Sequence, residues 1–240
     1  IAIEPTFAQI GYFGDGLAVV SDKPNDIFKG SKYGYIDKTG KLVIQQRFEK
    51  AGYFSEGLAL AIEKPNEKAD GGADSGYIDK TGKFIFKEGT GTMFNGGYAI
   101  VNGAIIDKNG KKVATGDFSS LGIEYDGPKY GNIGDDPLSN PGFNDGLAMA
   151  FRRDRSFGFV NTKGEYEIEL DPTKVAQNRP FSGGFAPIRW NQKVVLKSSI
   201  YYGVRGIKLH RDEVDAWTYI DRKGAVKVTG DDTFQDAHSF

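Results

Sequence analysis

Two aspartates sit in an identical tetrapeptide, Asp37-Lys38-Thr39-Gly40 and Asp79-Lys80-Thr81-Gly82. A carboxylate set beside a cation and a hydroxyl could accept a phosphoryl group. That chemistry needs one uniquely placed carboxylate, a magnesium site and a bound nucleotide. The same position returns as Asp107, Asn161 and Asp221, in DKNG, NTKG and DRKG, and no GxxxxGK[ST] loop is present to cradle phosphates. Turn chemistry explains the pattern better. The Asp or Asn side chain accepts from a backbone N–H two residues on, while Gly40, Gly82, Gly110, Gly164 and Gly224 supply the positive φ that closes a hairpin turn with a bulge.

Other candidate groups are scattered. The phosphorylation motif of ion-pumping P-type ATPases also reads DKTG but continues with another threonine, where lysine stands here in both copies. His210 and His238 occupy unrelated positions, and with no cysteine in the chain neither falls in a metal-ligand spacing. Glu124, Asp126, Asp135 and Asp136 form an acidic group without the spacing of an EF-hand. Arg152-Arg153-Asp154-Arg155 is too short for a nucleic-acid patch and reads as an exposed hairpin tip. Aromatics are the stronger binding candidates. Tyr33, Phe157 and Trp217 share one position, two before the tyrosine of YID or its equivalent, and Trp190, Tyr201 and Tyr202 lie in a long loop. An exposed row of such rings could stack on sugars or clasp a peptide.

The elements that carry these residues repeat. FGDGLA at 13–18 returns as FSEGLA at 54–59, FNGGYA at 94–99, FNDGLA at 143–148 and FSGGFA at 181–186, at offsets of 41, 40, 49 and 38 residues. Each is followed by a turn segment: YIDKTGK at 35–41 and 77–83, IIDKNGK at 105–111, FVNTKGE at 159–165 and YIDRKGA at 219–225. A third run, KLVIQQRF at 41–48 or KFIFKE at 83–88, follows the first two turns, with weaker versions later. The unit is strand, strand, tight turn, strand. Ala18, Ala59, Ala99, Ala148 and Ala186 are β-depleted residues in strand positions, which predicts close packing of a neighbour there.

The 33 glycines, 17 phenylalanines and 12 tyrosines suit short strands and tight turns. A net charge of −1 gives no broad electrostatic footprint for nucleic acid or anionic membrane. No apolar run is long enough for a transmembrane helix. The chain opens on IAIEPTF without an initiator methionine, as a fragment or processed product would. Ile3 to Phe7 matches Ile44 to Phe48, so the chain starts on a third strand; Phe234 and Phe240 repeat the six-residue spacing of Phe7 and Phe13. That overlap of the ends favours an open stack or superhelix of units over a closed β-propeller, the alternative. Insertions occupy about 115–142, read as a loop, and about 190–216, expected to hold a hairpin.

YGYIDKTGK at 33–41, SGYIDKTGK at 75–83 and FGFVNTKGE at 157–165, each near an F-x-x-G-(large)-A segment, resemble the bacterial WG repeats, also called KWG repeats, whose core reads roughly W-G-[FY]-I-D-x-x-G-K. WTYIDRKGA at 217–225 keeps the tryptophan and loses the glycine, and GAIIDKNGK at 103–111 loses the aromatic. The resemblance implies a bacterial repeat scaffold acting as an interaction or surface module, and brings no catalytic residue with it.

The expectation is therefore an all-β chain, one domain over residues 1–240, of about five tandem three-stranded meander repeats. Its expected role is a non-catalytic scaffold or binding module for a protein or cell-envelope glycan, without cofactor, metal, nucleic acid or membrane insertion. The alternatives are a glycan hydrolase using carboxylates of the 115–142 insertion, and a structural spacer. The sequence fixes no compartment; a bacterial surface, periplasmic or secreted setting suits a glycan-binding role.

Overall fold

The computed structural model describes residues 7–22, 32–63, 74–87, 89, 91–116, 118–121, 142–152, 155, 157–195, 200–203, 206–209 and 213–227. These residues form strands and turns and no helix. The first two repeats merge into one antiparallel sheet in chain order: β1 (Gln9–Gly14), β2 (Leu17–Ser21), β3 (Tyr33–Asp37), β4 (Leu42–Ala51), β5 (Ala59–Glu63), β6 (Asp74–Ile78) and β7 (Phe84–Phe86). The third repeat is a three-stranded sheet of β8 (Tyr98–Val101), β9 (Ala104–Asp107) and β10 (Lys112–Thr115), with β9 central. The fourth uses β11 (Phe118–Leu121), β12 (Phe143–Asn144), β13 (Leu147–Arg152), β14 (Phe157–Val160) and β15 (Tyr166–Leu170). In the fifth, β16 (Val175–Asn178) pairs with β17 (Phe185–Val195), and β18 (Ile200–Gly203) with β19 (Gly206–Leu209). The last strand, β20 (Glu213–Asp221), pairs with β17.

The architecture is thus all-β, built from hairpin repeats, as the sequence implies. Two details differ. β11 lies inside the insertion read as a loop and adds an edge strand to β13, and residues 122–141, with Glu124, Asp126, Asp135 and Asp136, lie outside the described residues. The link after the third strand is also strand: β4 runs on through Ala51 to pair with β5, which fuses neighbouring repeats. The hairpin expected in the 190–216 insertion is β18–β19.

Both ends of the unit are set by local backbone chemistry. The F-x-x-G segment is a two-residue hairpin turn with positive φ at both central residues, a requirement of the type I′ turn that matches strand twist. The pairs are Asp15 (48°) and Gly16 (89°), Glu56 (53°) and Gly57 (89°), Gly96 and Gly97, Asp145 and Gly146, and Gly183 and Gly184. The first strand after the turn is sandwiched on both faces, because Leu17, Ala18, Val19 and Val20 are all buried. The five motif alanines are at most 1% exposed, as close packing there demands.

A bulge recurs between second and third strands, at Tyr35/Ile36, Tyr77/Ile78, Phe159/Val160 and, on the partner strand, Lys112/Ala114. It brings the third strand across the glycine that follows Tyr33, Ser75 or Phe157. A Cβ on Gly34, Gly76 or Gly158 would meet backbone oxygen of Ile44, Phe86 or Ile168 at 2.5, 2.2 or 2.0 Å. Backbone cannot move aside as a flexible side chain can. Gly158→Ala should therefore lower stability by about 1–3 kcal/mol through overpacking, read as a shift in the denaturant midpoint. An unchanged midpoint would mean that the crossing is not as tight as described.

Candidate functional site

The turn aspartates come first. Asp37 Oδ1 accepts from Thr39 N (2.8 Å), Thr39 Oγ1 (2.6 Å) and Lys41 N (3.1 Å), and Asp79 accepts the same set from Thr81 and Lys83. Asp107, Asn161 and Asp221 accept the two corresponding amides. In all five turns the glycine N–H donates to the first residue's carbonyl, and Gly40, Gly82, Gly110, Gly164 and Gly224 have φ between 74° and 87°. The Thr39 hydroxyl and the turn amides hold the Asp37 carboxyl below its ordinary range. Burial pushes Asp79 up, but the Thr81 hydroxyl and amides outweigh it and the net direction is down. An oxygen serving three donors in its own turn is a structural acceptor. Among the described residues no group of three or more His, Asp or Glu is placed to hold a metal ion.

The repeats then interlock through a fixed set of contacts. The motif Phe of one repeat packs edge-on against the YID aromatic of the repeat before it: Phe54 on Tyr35 at 4.8 Å, Phe94 on Tyr77 at 5.0 Å, Phe181 on Phe159 at 4.7 Å. Tyr35 Oη also donates to Gly52 O (2.8 Å) and Tyr77 Oη to Thr92 O, and burial pushes both phenols up. The glycine of each DxxG turn lies against the preceding third strand. A Cβ there would fall 2.8 Å from Ile44 Cγ2 at Gly82, 2.9 Å from Phe86 at Gly110, 3.0 Å from Ala114 at Gly164 and 3.4 Å from Ile168 at Gly224.

The third contact is polar. Asp15 accepts from Gly57 N; Glu56 accepts from Gly96 N (2.7 Å) and Gly97 N (2.9 Å); Asp145 accepts from Gly184 N (2.8 Å). A base from the later repeat closes each one. Lys80 Nζ donates to Asp15 O (2.7 Å), Lys108 Nζ sits 3.2 Å from Glu56 Oε2, and Arg222 donates to Asp145 O. Where the acid is missing, at Gly96, the next repeat has Thr162 in place of the base.

Residues 33–63, spanning β3, β4 and β5, match the family model described as WG containing repeat. The chain carries a WG repeat. No curated protein matched the chain. The match begins on the second strand and ends on the first strand of the next copy, so it contains the Tyr35–Phe54 ring contact and the Tyr35 bond to Gly52 O.

The aromatic candidates are dispersed. Phe157 and Trp217 are buried at 6% and 4% exposure, and Tyr33 is half-buried against the core of the first repeats. Phe157 stacks on Phe151, and the Arg179 guanidinium lies 4.5 Å over Trp217. These rings line the interior, so they form no surface row. Trp190 is half-buried and donates through Nε1 to Thr218 Oγ1 (2.8 Å). Tyr201 and Tyr202 lie on β18, their side chains outside the described residues, and His210 and His238 also lie outside them. Arg152 is not a free tip: it pairs with Glu169 (3.2 Å) and lies 3.9 Å over Tyr166.

Aliphatic side chains at one repeat position face solvent instead. Val43, Ile85 and Val113, each three residues past a turn glycine, are 43%, 46% and 43% exposed. The equivalent residues of the last two repeats are Glu167 and Lys227. Beside Val43 runs an open groove of about 740 Å³ between the third strands of the first two repeats, lined by Arg47, Glu63, Asp74, Phe84 and Lys87 among others. Two ion pairs stand in its lining, Arg47 with Glu63 at 3.5 Å and Lys87 with Asp74.

The Asp37, Asp79 and Asp221 carboxylates carry a pH signature. Their depressed values make the ionised form favourable in the folded state, so that stabilisation is complete above the ordinary carboxylate pKa of about 3.9. It is lost as pH falls through the lower folded values. Asn preserves the acceptor, as Asn161 shows. A chain with Asp37→Asn, Asp79→Asn and Asp221→Asn should be less stable than wild type at pH 6, with the gap closing by pH 2 in urea titrations. A gap that persists at pH 2 would refute the assignment.

Proposed function

We propose that the chain is a non-catalytic repeat scaffold that binds a protein segment along the outer face of its first three repeats. The observation that carries the proposal is the aliphatic row of Val43, Ile85 and Val113. Singly exposed apolar residues are ordinary, but three at one repeat position, ending where the repeat sequence changes to Glu167 and Lys227, make a surface with a boundary. Aliphatic side chains suit the apolar side chains of a polypeptide, whereas sugars are held by flat aromatic faces. The paired charges rimming the groove supply polar contacts around an apolar strip. The non-catalytic part of the proposal is supported by the turn carboxylates, whose acceptor oxygens are engaged within their own turns.

The test screens the whole protein against displayed peptides and a glycan array, then repeats the measurement with Val43→Glu, Ile85→Glu and Val113→Glu combined. Exposed positions tolerate such changes within about 0.5 kcal/mol each. Peptide binders that lose at least about tenfold in affinity, a cost of about 1.4 kcal/mol, support the reading. Glycan hits, turnover of a glycan, or peptide binding indifferent to the three changes would overturn it.

A further inference from the structure

Among the described residues nothing covers the half-interface at the outer edge of the first repeat. Phe54, Phe94, Phe143 and Phe181 are at most 2% exposed, each covered by the repeat before it; Phe13, their equivalent, is 44% exposed. Ile10 and Tyr12 on the same strand are 48% and 80% exposed. Gly16 N–H corresponds to the amides of Gly57, Gly97 and Gly184, which donate to a carboxylate of the preceding repeat; among the described residues no group accepts from Gly16. Lys38 corresponds to Lys80, Lys108 and Arg222, and it is exposed without a partner among the described residues.

We infer that this edge is a docking surface for a further WG-type repeat, one that carries Asp or Glu as the third residue of its F-x-x-G turn and Tyr or Phe at the YID position. The acid would accept from Gly16 N–H and face Lys38, and the ring would cover Phe13. Continuity with the internal interfaces selects that partner, since three of them place a carboxylate on the amide equivalent to Gly16 N–H. Within the chain, acid is followed by base at Asp15 and Lys80, Glu56 and Lys108, and Asp145 and Arg222, whereas Gly96 is followed by Thr162. Lys108 meets the Glu56 carboxylate, while Lys80 and Arg222 donate to the main-chain carbonyl of the acidic residue, so Lys38 matches such a turn by sequence pairing and by a main-chain contact. A second copy of this chain docking by its fifth repeat offers only Gly183 at that place, so it is the poorer occupant. The inference concerns the first repeat's own edge and stands apart from the aliphatic row.

The experiment has two arms, both read by amide hydrogen exchange. In the first, residues 3–43 are duplicated in tandem, inserted between residues 2 and 3, which keeps the third-strand match of Ile3–Phe7 with Ile44–Phe48 in phase. The added repeat brings its own Asp15 and Tyr35. Exchange of the original Gly16 amide should slow by about tenfold, the value of one net hydrogen bond of roughly 1.4 kcal/mol, and the same duplication with Asp15→Gly in the added copy should not slow it. In the second arm, Asp15→Gly in the parent chain keeps a residue at ease with positive φ and should speed exchange at Gly57 by a similar factor. Slowing at Gly16 that survives loss of the added acid would overturn the inference, as would an unprotected Gly16 in the folded duplication or an unchanged Gly57 in the second arm. A duplication that fails to fold would likewise count against the inference, since the added repeat then finds no seat on this edge.

Discussion

Four of the turn glycines lie against the third strand of the repeat before them, and at Gly82 and Gly110 a Cβ would crowd it. Gly82 meets Ile44, Gly110 meets Phe86, Gly164 meets Ala114 and Gly224 meets Ile168, with space for no more than a hydrogen at the closest of them. The turn glycine answers two demands at once, positive φ within its own hairpin and contact outside it. Everything else follows from that seating. It sets the distance at which the motif Phe reaches the preceding aromatic ring, and at which the acid of one F-x-x-G turn reaches the amides of the next. The turn is thus both the punctuation of a repeat and its joint to the neighbour.

An array joined this way is stabilised by nearest-neighbour terms. The apolar part, a buried Phe against a Tyr or Phe ring, recurs at three of the four joints. The polar part varies by copy, present at Asp15, Glu56 and Asp145 and absent at Gly96. Such variation allows a joint to discriminate its neighbour, since an unmatched Lys or a missing acid weakens the wrong pairing. The surfaces that the joints do not consume, chiefly the outward side chains of the third strands, are the ones the proposed binding would use.

Much of this was legible in the sequence because turn chemistry is local. Asp and Gly three apart, flanked by β-rich runs, are enough to specify the hairpin at Asp37 and its four relatives. The burial of Phe157 and Trp217 was legible too: each lies two residues before a core aromatic, and strand side chains two apart share a face. The interlock was not legible. That Asp15 reaches Gly57, or that Lys80 reaches back to Asp15, depends on how far apart neighbouring turns sit, and repeat spacing along the chain carries no such distance. The type I′ geometry of the F-x-x-G segment was hidden by Asp15, Glu56 and Asp145, which hold positive φ without being glycine. The aliphatic row emerges only once the third strands are aligned on their turn glycines.

The central claim is that stability resides in joints between adjacent repeats, set by the turn glycine. Residue-resolved hydrogen exchange on a Gly110→Ala chain tests it most directly. The account predicts that protection falls in β6 to β10, on both sides of the Gly110–Phe86 joint, while β13 to β15 keep theirs. Protection lost evenly throughout the chain, or lost only within the Asp107–Gly110 turn, would contradict it.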